Sequence, residues 1–431
     1  MIVFYFLILV MPLSDHHIWS QFVGDLTGIK YIGVLCMMYA IYHRIVRRTL
    51  PSYLGTWQAR LFLLLFCLGT LSYILMPPEV FWYESHWFTY VSLLMLFFIT
   101  LSVVDTLNRL RWTLLTATTS LALASLYAIR DWQLNRHLFP GYRPAGVVGD
   151  ANYFSVDILL FLPIAYLLAR RAKPRWQKWF CMGCFVVTLF ALILSSSRGA
   201  FLGLIASTLY LVLRSRNRAR NLTVIAVSLV LVMLVSPNSP IERLRNPSAG
   251  DETSADTHVA LMHGGIRLIL AHPVLGVGLD NFITKIADYI TPEEASRMDR
   301  VARVAHNSYI EIGAEAGVPA LLAFLGILVC SFLSMERVAR TSRRYGATLL
   351  QDAALGLQAG LIGAGIAIFF ISAEYEKLLW MSIFIGMCLP PLAAAWKKRH
   401  KQAEARREID LTSDAGDPGT PGEILEPIHT W

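Results

Sequence analysis

Three guanidiniums and one imidazole stand in settings that could manage an anion and a proton. Arg198 lies in SSSRGA, Ser195 to Ala200, where one apolar run ends and the next begins with almost no linker. The start of a helix presents unpaired backbone N–H groups and the positive end of its dipole, and a guanidinium adds a two-pronged donor. Together with three hydroxyls this could hold an anion, or the Arg could simply snorkel to lipid phosphate. Arg267 lies in GIRLILAHPVLGVGLDNF, from Gly265, on a largely apolar helix, and either snorkels or faces a polar cavity. His306 opens HNSYIEIGAEAGVPALL. Asn307, Glu311 and Glu315 follow at a spacing of four and share one helix face. A lone His at a helix start is often structural, but a His followed by an amide and two carboxylates could also relay a proton. In YRPAGVVGDANYFS, Tyr142 to Ser155, Asp150 and Asn152 suit a helix cap and Arg143 offers one more anion contact.

Several chemistries find no residues on this side of the chain. There is no HExxH, no Asp-x-Asp pair and no Cys/His cluster of metal-ligand spacing. Cys181 and Cys184 form a lone CxxC inside an apolar run. Gly276-x-Gly278 lacks the third glycine and preceding strand of a dinucleotide fingerprint and reads as a turn. No metal and no cofactor is expected.

The elements that must position these residues are membrane spans. The chain has 431 residues, 55% hydrophobic and 16% charged, against roughly 25% charged in soluble domains. Mean hydropathy is +0.51. Apolar runs long enough to cross a bilayer recur between short polar breaks. The spacing predicts an all-α polytopic membrane protein of about twelve transmembrane helices, near 2–13, 29–43, 60–76, 87–104, 112–129, 153–169, 178–195, 199–213, 222–236, 318–335, 353–371 and 378–396. The first run lacks a basic leader and a cleavage site, and reads as a span.

The organisation expected is a bundle of about nine spans over 1–236, one large periplasmic loop with amphipathic helices over 237–317, about three spans over 318–396, and a cytoplasmic, disordered tail over 397–431. Within the loop a helical pattern runs from Asp256 to His272 and stops at Pro273 and the two glycines. The net charge of +8 does not mark a nucleic-acid partner, because the basic residues cluster at span ends. Alternate connections hold 25 of the 38 Lys and Arg, against six in the short connections on the other side. That bias puts both termini in the cytoplasm and the long loop on the non-cytoplasmic side of the membrane.

SSSRGA, the loop Arg followed by AHPVLGVGLDNF, and HNSYIEIGAEAGVPALL occur in that order between Tyr142 and Leu322. In combination they resemble the O-antigen ligase and polymerase superfamily. The resemblance implies a metal-independent glycosyltransferase that takes a glycan from a polyprenyl (undecaprenyl) diphosphate carrier and passes it, with inversion, to a hydroxyl such as one on lipid A core. It implies catalytic roles for Arg198, Arg267 and His306. Arg143, Asn152, Asn307 and Glu311 are the accompanying candidates for substrate binding. Partners are then the lipid-linked donor, the glycan acceptor and membrane lipid. A polymerase of the same superfamily would add the glycan to a second lipid-linked unit. A flippase would need ionisable residues at mid-membrane, where Asp157 is the one good candidate. After the tenth span no motif of comparable specificity is found.

Overall fold

The computed structural model describes residues 1–13, 28–47, 55–79, 86–138, 142–171, 175–215, 218, 249–298 and 304–414. The described residues form helices and no strand. The helices are α1 (Ile2–Val10), α2 (Gly28–Arg47), α3 (Trp57–Leu75), α4 (His86–Val103), α5 (Leu107–Asn135), α6 (Ala151–Arg171), α7 (Arg175–Leu194) and α8 (Arg198–Arg214). The long loop contributes α9 (Ala249–Ala271), α10 (Phe282–Lys285) and α11 (Pro292–Ala295), followed by α12 (Ser308–Arg344), α13 (Thr348–Ala367) and α14 (Lys377–Asp414). Among the described residues nine helices, α2 to α7 and α12 to α14, are long and apolar enough to cross a membrane, and Ile2–Leu13 is a shorter apolar helix. The span expected at 222–236 lies outside the described residues.

Lipid removes the hydrophobic drive between helices, so close backbone approach must hold them together. The sequence supplies it where α8 meets α13. Gly199, Gly203 and Ser207 recur every fourth residue on α8, and a Cβ at Gly203 would fall 2.3 Å from the carbonyl oxygen of Gly363. On its other side α13 lies as close to α6, where a Cβ at Gly360 would fall 2.2 Å from Leu160 O. Elsewhere the core is aromatic. Phe62 of α3 packs on Phe97 of α4 and on Trp380 and Phe384 of α14, with ring centroids 5.0 to 5.1 Å apart.

α12 is broken at Gly317, whose φ of 86° is the left-handed region that glycine alone enters freely. Two residues on, Pro319 has no N–H to give to Glu315 O. The loop closes this gap. Val277 N donates to Ala314 O (2.8 Å) and Gly278 N to Glu315 O (3.1 Å), while Val318 N turns outward to Pro273 O (2.8 Å). The expected turn at Gly276 and Gly278, both at positive φ, is therefore a splint on a transmembrane helix.

The tail differs from expectation. α14 continues without interruption to Asp414, so residues 397–414 are helical rather than disordered. The stretch from Lys397 to Arg407 is rich in Lys, Gln, Ala, Glu and Arg, all strong helix formers, and they extend a helix already nucleated in the bundle. Residues 415–431 lie outside the described residues.

Candidate functional site

The site is organised by a connection that carries no recognisable motif, residues 368–376 between α13 and α14. Three of the sequence-expected segments meet on it. Asn307 caps α12, its Oδ1 accepting from the backbone N–H groups of Tyr309 (3.0 Å) and Ile310 (3.2 Å). Ser308, buried behind it, donates its backbone N–H to Ile368 O (3.0 Å) and Ile371 O (3.1 Å). The Ser308 hydroxyl donates to Ile371 O (2.9 Å) and accepts from Ala373 N (2.7 Å). Glu311, only 2% exposed, accepts from Ala305 N (3.2 Å) and from the Ser372 hydroxyl. His306 stands between these anchored residues, half-buried, with a φ of 49°. Such a conformation in a non-glycine residue persists where its surroundings over-determine it. Asn307 and Glu311 are thus built into the scaffold around His306, where sequence reading places them among substrate contacts.

The second segment is the turn joining α7 to α8. Ser195, Ser196 and Ser197 are buried. Ser195 Oγ accepts from Ser155 Oγ (2.6 Å), and Ser197 caps α8 by accepting from Ala200 N (3.4 Å). Those two hydroxyls build the turn instead of lining an anion site. Arg198, the first residue of α8, is half-buried beside them. Gly199 leaves room for the 368–376 connection, since a Cβ there would fall 3.0 Å from the Phe370 ring. The third segment is the approach to α6. Arg143 Nε donates to Ser195 O (2.7 Å) and its Nη2 to Asn152 Oδ1 (2.7 Å). The helix cap is Asp150, which accepts from Asn152 N (2.6 Å), and the neighbouring Tyr153 hydroxyl donates to Ser372 O (2.9 Å).

Arg267 is held apart from this group. α9 packs tightly on α12, as a Cβ at Gly265 would fall 2.3 Å from Ile310, and their contact forms a small separate core with Leu268 and Phe282. On that helix His258 faces His306, ring centroids 5.3 Å apart and edge to face. Arg267 is nine positions further on, two and a half helical turns, and so projects to the opposite side of α9. There its guanidinium forms a two-pronged pair with Glu294 (2.6 and 2.9 Å) and also reaches Tyr289 O. Glu294 is fixed by local sequence. Thr291, Pro292 and Glu294 make a capping box at the start of α11. The Arg267 guanidinium beside it holds the Glu294 carboxyl down to about 2.

Four participants escaped sequence reading. Ser372 and Glu374 sit in a short connection, where the only signal was a pair of carboxylates between two spans. Glu374 is 1% exposed, and burial, then the neighbouring Glu311 and Glu315, push it well above the usual carboxylate range. His258 and Glu294 become visible only once α9 is laid against its neighbours. Among the described residues no group of three or more His, Cys, Asp and Glu is placed to hold a metal ion.

No curated protein matches the chain. Residues 183–325 match the family model described as O-antigen ligase. That stretch takes in Arg198, Arg267 and His306 and stops short of both the Arg143–Asn152 pair and the 368–376 connection. The three motifs, in the order described, thus fall within a stretch similar to the O-antigen ligase family and set in a bundle of apolar helices.

Proposed function

We propose that this membrane enzyme of the O-antigen ligase and polymerase family transfers a glycan from a polyprenyl diphosphate carrier to a hydroxyl acceptor such as lipid A core. The reaction takes place at the periplasmic face of a bacterial inner membrane, without a divalent metal. The observation that carries this reading is the meeting of the Arg198 turn, the Arg143–Asn152 pair and the His306 turn on one connection, residues 368–376.

Breaking a sugar–diphosphate bond builds negative charge on the departing diphosphate. Arg198 meets that charge with a guanidinium and with the N-terminal end of α8, the kind of prearranged donor that lowers such barriers. Arg143, tied to the same turn through Ser195, lends a second positive charge. Arg267 holds in Glu294 a carboxylate with the same forked geometry as a phosphate. A diphosphate carries more charge than Glu294 and competes with it for the guanidinium. His306 takes the proton of the attacking hydroxyl. One displacement at the anomeric carbon inverts it.

The test is transfer by purified protein in lipid nanodiscs, supplied with polyprenyl-diphosphate glycan and lipid A core, in the presence of a chelator. Glycosylated core is the expected product. Turnover that appears only when magnesium or manganese is restored would reject the metal-free mechanism. Deletion in the cell separates the two members of the family. A missing ligase removes all long chains from lipid A core, whereas a missing polymerase leaves single-repeat products.

A further inference from the structure

The end of the bundle opposite Arg198 carries a feature that glycan transfer does not use. A groove of about 860 Å³ runs between α6, α7, α8 and α13, within the range of roughly 300–1,000 Å³ for small-molecule sites. Its walls are apolar, with Leu162 of α6, Leu189 of α7, and Phe201 and Leu204 of α8. At its far end five guanidiniums converge: Arg170, Arg171, Arg214, Arg218 and Arg343. Arg170, Arg171, Arg214 and Arg343 come from the ends of α6, α8 and α12 that point away from the 368–376 connection, and Arg218 follows α8; the Lys and Arg distribution assigns this end to the cytoplasm. One carboxylate, Asp352, shares the lining and is paired with Arg171 at 3.0 Å. Arg214 is paired with Glu336 at 2.9 Å. Arg170, Arg218 and Arg343 are exposed and add positive charge that Asp352 does not balance.

Separate arginines at span ends snorkel, each toward its own lipid. Convergence of five around one apolar slot is a different arrangement, and basic pockets between transmembrane helices on the cytoplasmic side suit anionic headgroups. The dimensions agree. From Phe201 to Arg214 the helix rises about 20 Å, enough for the ~15 Å of hydrocarbon in one leaflet. We infer that this groove binds an anionic glycerophospholipid of the cytoplasmic leaflet, with its phosphate among Arg170, Arg218 and Arg343 and its acyl chains along α8 toward Phe201. About 15 Å of acyl chain then reaches about as far as Leu204, so the lipid braces the helix that presents Arg198.

Native mass spectrometry of purified protein, exchanged into phosphatidylglycerol or into phosphatidylcholine with the same acyl chains, tests this without reference to transfer. Wild-type protein should retain phosphatidylglycerol and release phosphatidylcholine, and millimolar inorganic phosphate alone should not displace the bound lipid. The triple variant R170Q/R218Q/R343Q should retain about 10²-fold less, at roughly fivefold for each guanidinium lost. Leu204→Trp, which fills the slot and leaves the rim intact, should also expel the lipid and guards against misfolding of the triple variant. Equal retention of the two lipids, or undiminished retention by both variants, overturns the inference. So does wild-type protein that keeps no lipid, and so does recovery of a polyprenyl phosphate, which would assign the groove to the donor's tail.

Discussion

His306 and Arg267 sit on either side of the same α9–α12 contact and are held in opposite ways. Around His306 the backbone is pinned from both sides. Ala305 is tied to Glu311, Ser308 to Ile371 and Ala373, and Glu311 to Ser372, all of these residues buried. Arg267 is held by an ion pair whose side chains are 39% and 20% exposed, and by the carbonyl of Tyr289. A group that must take a proton along a fixed line needs its position settled in advance. A group that must grip an incoming anion needs a partner it can exchange, and ion pairs of this exposure are worth little, about 0–1 kcal/mol. On the proposed mechanism, the difference makes one side of the site prearranged and the other latched.

The contrast can be broken first at His306. His306→Ala should slow transfer by about 10²- to 10⁴-fold, the usual range for acid–base groups, while donor binding measured by titration of the purified protein stays intact. A well-folded variant that transfers at the normal rate would remove His306 from the chemistry. Arg198→Ala should cost on the order of 10²- to 10³-fold in turnover, as for a lost oxyanion donor. Lys should restore only part of it, because a point charge lacks the planar fork. Turnover and donor affinity both equal to wild type would make Arg198 a lipid anchor.

The supports should then respond in opposite directions. Ser372→Ala removes a donor from the buried Glu311 and should lower stability by about 1–3 kcal/mol, the cost of leaving a buried polar group without its partner, read by thermal unfolding in detergent. Turnover should fall with little change in KM. Glu294→Gln should do the reverse, freeing Arg267 and tightening donor binding by up to about fivefold, the upper value of such an ion pair. Weaker binding in Glu294→Gln would show that the pair is a permanent brace. The smallest effect is on pH. Glu294 is held down to about 2 from 4.5, so the folded state binds fewer protons there than the unfolded state. Its stabilisation is complete above pH 4.5 and is lost as pH falls toward 2. Limited proteolysis of the 291–297 segment should become faster over that window in the wild type and show less change in Glu294→Gln.

Membrane class and the three motifs were legible because long apolar runs, breakers and charge bias are local properties of the chain. The helix from Asp256 to His272 was legible for the same reason, and it forms, starting earlier at Ala249. The roles of Glu311 and Asn307 were not. Helical spacing places them on a face but does not reveal that the face is covered, in this case by Ile371 to Ala373, some sixty residues away. Arg267 shows the same limit. An Arg on an apolar helix invites an anion, and only the fold reveals that Glu294 already stands there. The 368–376 connection was invisible because its contribution is made largely by carbonyls and amides, which every residue possesses.

The break in α12 has a consequence for how the protein is made. Residues 273–278 leave the ribosome before Ala314 and Glu315, so the amides that will close the gap are synthesised ahead of the gap itself. An apolar helix entering the bilayer with two carbonyls lacking their usual partners is at a disadvantage. The loop residues that relieve it are already made, and the final placement of α12 becomes a docking event between the earlier loop and an inserting helix. Biogenesis of this half of the bundle therefore depends on the earlier loop, and a lesion at Gly276 or Gly278 should appear as failed assembly of a span some forty residues downstream.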